Sequence, residues 1–146
     1  MIDRPRLLTI RNGERVPGTF SDAEMERRQA ALRAYMSSAR IDAALFTSYH
    51  NIQYYADFLH CRFGRHYGLV VTGGRATTIS AAIDGGQPWR RTFGDNLVYT
   101  DWHRGNFLQA VQELIDDGMR VGIEFDDVSI ELRKQLVAQP SERRSV

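Results

Sequence analysis

The sequence predicts an α/β domain, a three-layer α/β/α arrangement around a mixed, partly parallel sheet. Three observations point there. Short runs such as Ala43–Thr47, Leu97–Thr100 and Val121–Phe125 are apolar almost without a break, as strands covered on both faces are. Amphipathic helical stretches alternate with them, and one Gly73-Gly74 pair joins two strands as a hairpin.

Residues 1–20 read as an irregular arm with a short extended piece at Leu7–Ile10, followed by the turn signals Asn12-Gly13 and Pro17-Gly18. Ser21 with Glu24 three residues later forms a capping box, and Phe20 precedes it as a hydrophobic staple. The helix they open runs to about Ala39. Met25, Leu32, Tyr35, Met36 and Ala39 form its inward stripe, with arginines on the wet side. Ala43–Thr47 is a buried strand, and Asn51–Phe58 is a short helix. Tyr67–Thr72 and Ala76–Ser80 make the hairpin. A short helix begins near Gly86 around Pro88, and Leu97–Thr100 is a further strand. Asn106–Asp117 is a helix with Phe107, Ala110, Val111, Leu114 and Ile115 inward, stopped by Gly118. Val121–Phe125 is the last strand, and Ser129 caps a helix through about Val137. The organisation is thus an arm (1–20), one folded domain (21–138) and a polar tail (139–146). An alternating chain normally continues from its last helix into another strand. Either that helix is terminal or the chain is truncated.

Composition narrows the function classes. A chain of 146 residues is the size of one domain, with 42% hydrophobic and 25% charged residues. The net charge of +1 gives no global field to draw nucleic acid or anionic lipid, so neither a nucleic-acid nor a membrane partner is expected. Cys61 is the only cysteine, which excludes an internal disulfide and suits a reducing, cytoplasmic setting. Residues 1–16 carry no apolar stretch of the kind a signal peptide needs.

His60, Cys61 and His66 lie close together but match no common zinc spacing, so no metal is expected. A G-x-S-x-G elbow and phosphate-binding glycine motifs are missing. Glu124, Asp126 and Asp127 cluster after a strand, a place where α/β sheets hold ligands, but a solvated loop plus a helix start is the better reading. The segment Tyr49–Tyr67 interleaves aromatic residues with Arg62 and Arg65. An arginine beside aromatic faces suits a small zwitterion, whose carboxylate the guanidinium holds in a fork. Packing of a helix and loop accounts for the same pattern.

Ser48-Tyr49-His50-Asn51-Ile52, Phe63-Gly64-Arg65, the octet Asp84–Arg91 and Tyr99-Thr100-Asp101-Trp102 together resemble the bacterial creatinases. Ile10-Arg11-Asn12-Gly13 and Gly122-Ile123-Glu124 agree in order and spacing, so the resemblance covers about residues 7–138. Asn51-Ile52 followed by Tyr54-Tyr55 is shared with the wider creatinase/prolidase family; the octet and Phe63-Gly64-Arg65 narrow it. The resemblance implies a ribonuclease H-like amino-terminal domain, followed in the family by a larger "pita-bread" catalytic domain absent from this chain. It also implies hydrolysis of creatine to sarcosine and urea by a homodimer, without a metal or other cofactor. The acid/base histidine and the guanidinium-holding glutamates belong to the missing domain, so no catalytic residue is expected here. Carried over, the substrate-binding residues are Phe63, lining the partner's pocket, and Arg65, pairing with creatine's carboxylate. His66 stands where the family usually has proline, which implies a less rigid loop. An Xaa-Pro dipeptidase or aminopeptidase of the same architecture, and a stand-alone interaction module, are the other readings.

Overall fold

The computed structural model describes residues 3–60 and 64–138. Ser21 opens α1 (Asp22–Ala39), its hydroxyl accepting from the Glu24 N–H at 3.2 Å. Only half of the expected capping box forms. The Glu24 carboxylate turns instead to Arg27 and Arg28, each 2.8 Å away through Nε, and these guanidiniums hold its pKa down to about 2. The buried face is Met25, Arg28, Gln29, Leu32 and Met36, whereas Tyr35, expected inside, is 63% exposed. Arg28 and Gln29 take inward places because the neighbouring helix, α2 (Tyr49–Ala56), ends with carbonyls that need donors. Arg28 donates to the Tyr54 carbonyl at 3.1 Å and Gln29 to that of Tyr55 at 2.8 Å.

Helix α2 ends two residues earlier than the sequence predicts. Asp57 adopts left-handed backbone (φ 52°), and its carboxylate accepts from the N–H groups of Thr19 and Phe20 at 2.6 and 3.2 Å. That contact ties the arm to the end of the helix.

Among the described residues six strands form one sheet: β1 (Leu7–Leu8), β2 (Ala43–Phe46), β3 (Gly68–Thr72), β4 (Ala76–Ala81), β5 (Asp95–Tyr99) and β6 (Val121–Ile123). Their order is β1-β5-β4-β3-β2-β6. The pairs β2–β3, β3–β4 and β1–β5 are antiparallel, and β4–β5 and β2–β6 are parallel, so the sheet is mixed as expected. The short extended piece of the arm is itself a strand, closing the β5 edge with Leu7 opposite Tyr99.

Strand alternation divides the core in two. Ala44, Leu69, Val71 and Ala76 meet Leu32 and Met36 of α1 and Ile52 and Ala56 of α2. On the other face Ala43, Leu45, Val70, Ile79 and Ala81 meet Phe107, Ala110 and Val111 of α4 (Asn106–Leu114). Leu132 and Leu136 of α5 (Ile130–Ala138) pack against the same face, giving the three-layer α/β/α form. Helix α4 stops at Leu114 rather than Asp117, because Ile115 is already extended (φ −119°, ψ 123°). Between β4 and β5 lies α3 (Gln87–Arg91), with Pro88 in its first turn.

The turn into β5 has one demanding position. Gly94 has φ 109°, and a Cβ there would stand 2.5 Å from the Ala76 carbonyl oxygen. Gly94→Ala is expected to lower stability by about 1–3 kcal/mol, from backbone strain and the clash. A urea midpoint equal to that of the parent chain would contradict this.

Candidate functional site

Arg65 sits on the loop that leads into β3. Gly64, just before it, has φ 68° with open space around its Cβ position, so glycine is needed there for backbone freedom, not for room. The Arg65 side chain is 39% exposed, and its Nε lies 3.6 Å from Asp101 Oδ1. That separation exceeds a good hydrogen bond, and an ion pair this exposed contributes about 0–1 kcal/mol. Asp101 therefore engages the guanidinium without saturating it.

The residues around Arg65 are well supplied with hydrogen bonds. The Tyr99 hydroxyl, at the end of β5, donates to the His66 carbonyl at 2.9 Å and accepts from the His66 N–H at 3.1 Å. Burial, with the negative charge of Asp101 nearby, pushes the Tyr99 phenol up to about 12, so it stays protonated and able to donate at neutral pH. The Tyr67 hydroxyl donates to Asp84 Oδ2 at 2.6 Å; burial and that bond raise its pKa well above the usual tyrosine value. The His66 ring lies 5.3 Å from Phe107. On the far side, buried Asn106 donates to the Thr100 carbonyl at 2.7 Å, fixing the segment that carries Asp101.

The other sequence candidates fall into different places. Phe63 lies outside the described residues, as do Cys61 and Arg62. His60 is buried among aromatic rings, 4.3 Å from Tyr67, 5.3 Å from Tyr49 and 5.6 Å from Phe58. Tyr54 and Tyr55 pack against Arg28 and Phe46 instead. Among the described residues, much of the interleaved stretch is thus core packing, with Phe58 and Tyr67 in the buried cluster. Among the described residues, no group of three or more His, Cys, Asp or Glu is arranged to hold a metal ion.

Glu124 is a structural group. Its carboxylate accepts from the N–H groups of Thr47 and Ser48 at 2.6 and 2.8 Å, and from the Ser48 hydroxyl and the Asn51 amide. It thereby closes the amino-terminal end of α2 and welds β6 to the β2–α2 turn. Burial pushes its carboxyl up, but these donors outweigh burial and hold it below the ordinary glutamate value.

Asp84, Tyr99 and Asp101 were not singled out by spacing, yet all three lie in strings that carry the family resemblance. The Asp84 octet also clamps the arm: Arg90 donates to the Asn12 carbonyl and side chain at 3.0 and 2.9 Å, and Arg15 lies 4.9 Å over Trp89. A cleft of about 590 Å³ opens beside this clamp, bordered by Phe20, Asp57, Arg91 and Phe93; no residue of the Arg65 loop lines it.

The fold defines a class. Residues 28–144 match the family model described as Creatinase/Prolidase N-terminal domain, and the chain belongs to that family. The creatinase of Bacillus sp. (strain B-0618) is 50% identical over 139 residues, covering 92% of this chain and 34% of the relative. The chain thus spans about a third of the length of that relative. Among solved structures, a proline dipeptidase from Streptococcus pneumoniae TIGR4 superposes with a TM-score of 0.66 at 18% identity, covering 76% of this chain and 83% of its own. The Xaa-Pro dipeptidase from Bacillus anthracis gives a TM-score of 0.64 at 20% identity, covering 78% of this chain and 31% of its own. These two likenesses concern the fold. Among the described residues, no helix is long and apolar enough to cross a membrane.

The Glu124 cap has a pH signature. A carboxyl whose folded pKa is depressed adds stability above its unfolded value of about 4.3, and that stability fades as acid protonates it. Glu124→Gln is expected to lose about 1–3 kcal/mol at neutral pH, with a smaller deficit near pH ~3. Urea titrations showing the same deficit at both values would refute the charged cap.

Proposed function

We propose that this chain is the amino-terminal domain of a creatine amidinohydrolase, and that it contributes to substrate binding and dimer contacts without carrying the catalytic groups. The observation that carries the reading is the Arg65 guanidinium, half in solvent, held on a braced loop and only loosely engaged by Asp101. The 50% identity to a creatinase over 92% of the chain supports the same reading.

Creatine carries a flat guanidinium at one end and a carboxylate at the other. Arg65, reaching into the partner subunit's site, forms two parallel hydrogen bonds to the carboxylate. Phe63 closes the pocket beside it. Fixing the anionic end sets the position of the amidine carbon, where a histidine and a water from a following catalytic domain carry out hydrolysis to sarcosine and urea. The binding part of this scheme asks nothing of a metal. The lone cysteine and near-neutral charge agree with a cytoplasmic enzyme acting on a small molecule. The fragment by itself is expected to be inactive.

Desolvated and doubly bonded, the Arg65–carboxylate pair is worth about 2–4 kcal/mol, well above its exposed contact with Asp101. In the full-length enzyme, Arg65→Lys keeps the charge but loses the fork, so KM for creatine rises by about tenfold or more while kcat changes little. Steady-state kinetics with an unchanged KM would remove Arg65 from the site. Assays of the parent on creatine and on proline dipeptides, with and without a chelator, separate the two activities. Chelator-sensitive dipeptide cleavage without creatine turnover would make the protein a peptidase.

A further inference from the structure

We infer that Tyr99 is the positioning residue for Arg65, acting through the backbone of His66 and not by touching substrate. This rests on the reading of Arg65 as the carboxylate anchor.

One hydroxyl serves both main-chain groups of a single residue: it donates to the His66 carbonyl at 2.9 Å and accepts from the His66 N–H at 3.1 Å. A neighbouring strand offers the same pair of bonds to a residue in extended backbone. The tyrosine side chain therefore stands in for a strand just beyond the end of the sheet, and His66 is the residue that directly follows Arg65. The N–H used here is one that a proline at this position would lack.

The post that carries this hydroxyl is rigid. Tyr99 is 5% exposed, its ring meets Phe107 edge-on at 5.6 Å, and its backbone is paired with Leu7 of β1 on one side and Ala81 of β4 on the other. By contrast, the Arg65 tip is restrained only loosely by Asp101 at 3.6 Å. Positional accuracy at the guanidinium thus comes from the backbone on its carboxy-terminal side. A bidentate grip tolerates little error in that position, since both N–H groups must meet the two oxygens at once.

Tyr99→Phe removes the hydroxyl and keeps the ring, so the core around Phe107 stays filled. In the full-length enzyme it is expected to raise KM for creatine about three- to tenfold, with kcat within about twofold and the pH profile unmoved. Arg65→Ala raises KM more, and adding Tyr99→Phe to it changes KM by less than about twofold, because the residue being positioned is gone. An unchanged KM for Tyr99→Phe beside a raised KM for Arg65→Ala would overturn the positioning role alone. An equal KM rise from Tyr99→Phe in both backgrounds would overturn it too, by marking a general structural effect. An unchanged KM for Arg65→Ala would remove the anchor and the positioning role together. An independent readout needs no turnover: in this 146-residue chain, Tyr99→Phe should speed hydrogen exchange of the His66 amide about tenfold or more while Val98 is unaffected. Equal His66 exchange in both proteins would contradict the inference.

Discussion

Both faces of the sheet are covered by helices, and this burial dictates where anything else can happen. Leu45, Leu69, Val70, Val71, Ile79 and Val98 are all essentially sealed from solvent. A sheet closed in this way offers its ends and connecting loops for chemistry, not its faces. The Arg65 loop lies at such an end, where β3 begins and β5 finishes. Its surroundings are tied to the core, while the arginine side chain itself stays partly exposed.

Polar groups then join what the apolar core leaves apart. Glu124, just after the last strand, closes the start of α2 by accepting from Thr47, Ser48 and Asn51. Tyr99 closes the Arg65 loop onto β5, and Asp84 holds Tyr67. Asp57 receives the arm at Thr19 and Phe20. In each of these cases a side chain satisfies groups that no strand or helix partner reaches.

Most of the architecture was legible in the residues. Continuous apolar runs announced a doubly covered sheet, Ser21 and Ser129 stand at helix starts as expected, and the Gly73-Gly74 hairpin is where the pattern put it, whereas the Ser48 start of α2 was missed. Long-range pairing was not legible. Nothing local marks Arg28 and Gln29 as inward residues, because the reason lies in carbonyls of another helix twenty-six positions away. Nor does a stretch of two leucines reveal that it will edge the sheet opposite Tyr99 and Val98. For the site, spacing and aromatic company marked only the Tyr49–Tyr67 stretch with Arg62 and Arg65, the Phe63-Gly64-Arg65 resemblance singled out Arg65, and the residues bracing its loop come from distant strings. Only the resemblance to creatinases had drawn those strings together, without saying what joins them.

The central claim is that the guanidinium at position 65 holds the acid end of a small zwitterion. The most direct measurement is a crystal structure of the full-length enzyme with creatine bound. The account predicts two short, parallel contacts from Arg65 to the ligand's carboxylate in the neighbouring subunit's site, with the Asp101 contact loosened or lost. A bound ligand whose carboxylate is held elsewhere, with this side chain directed into bulk solvent, would contradict it.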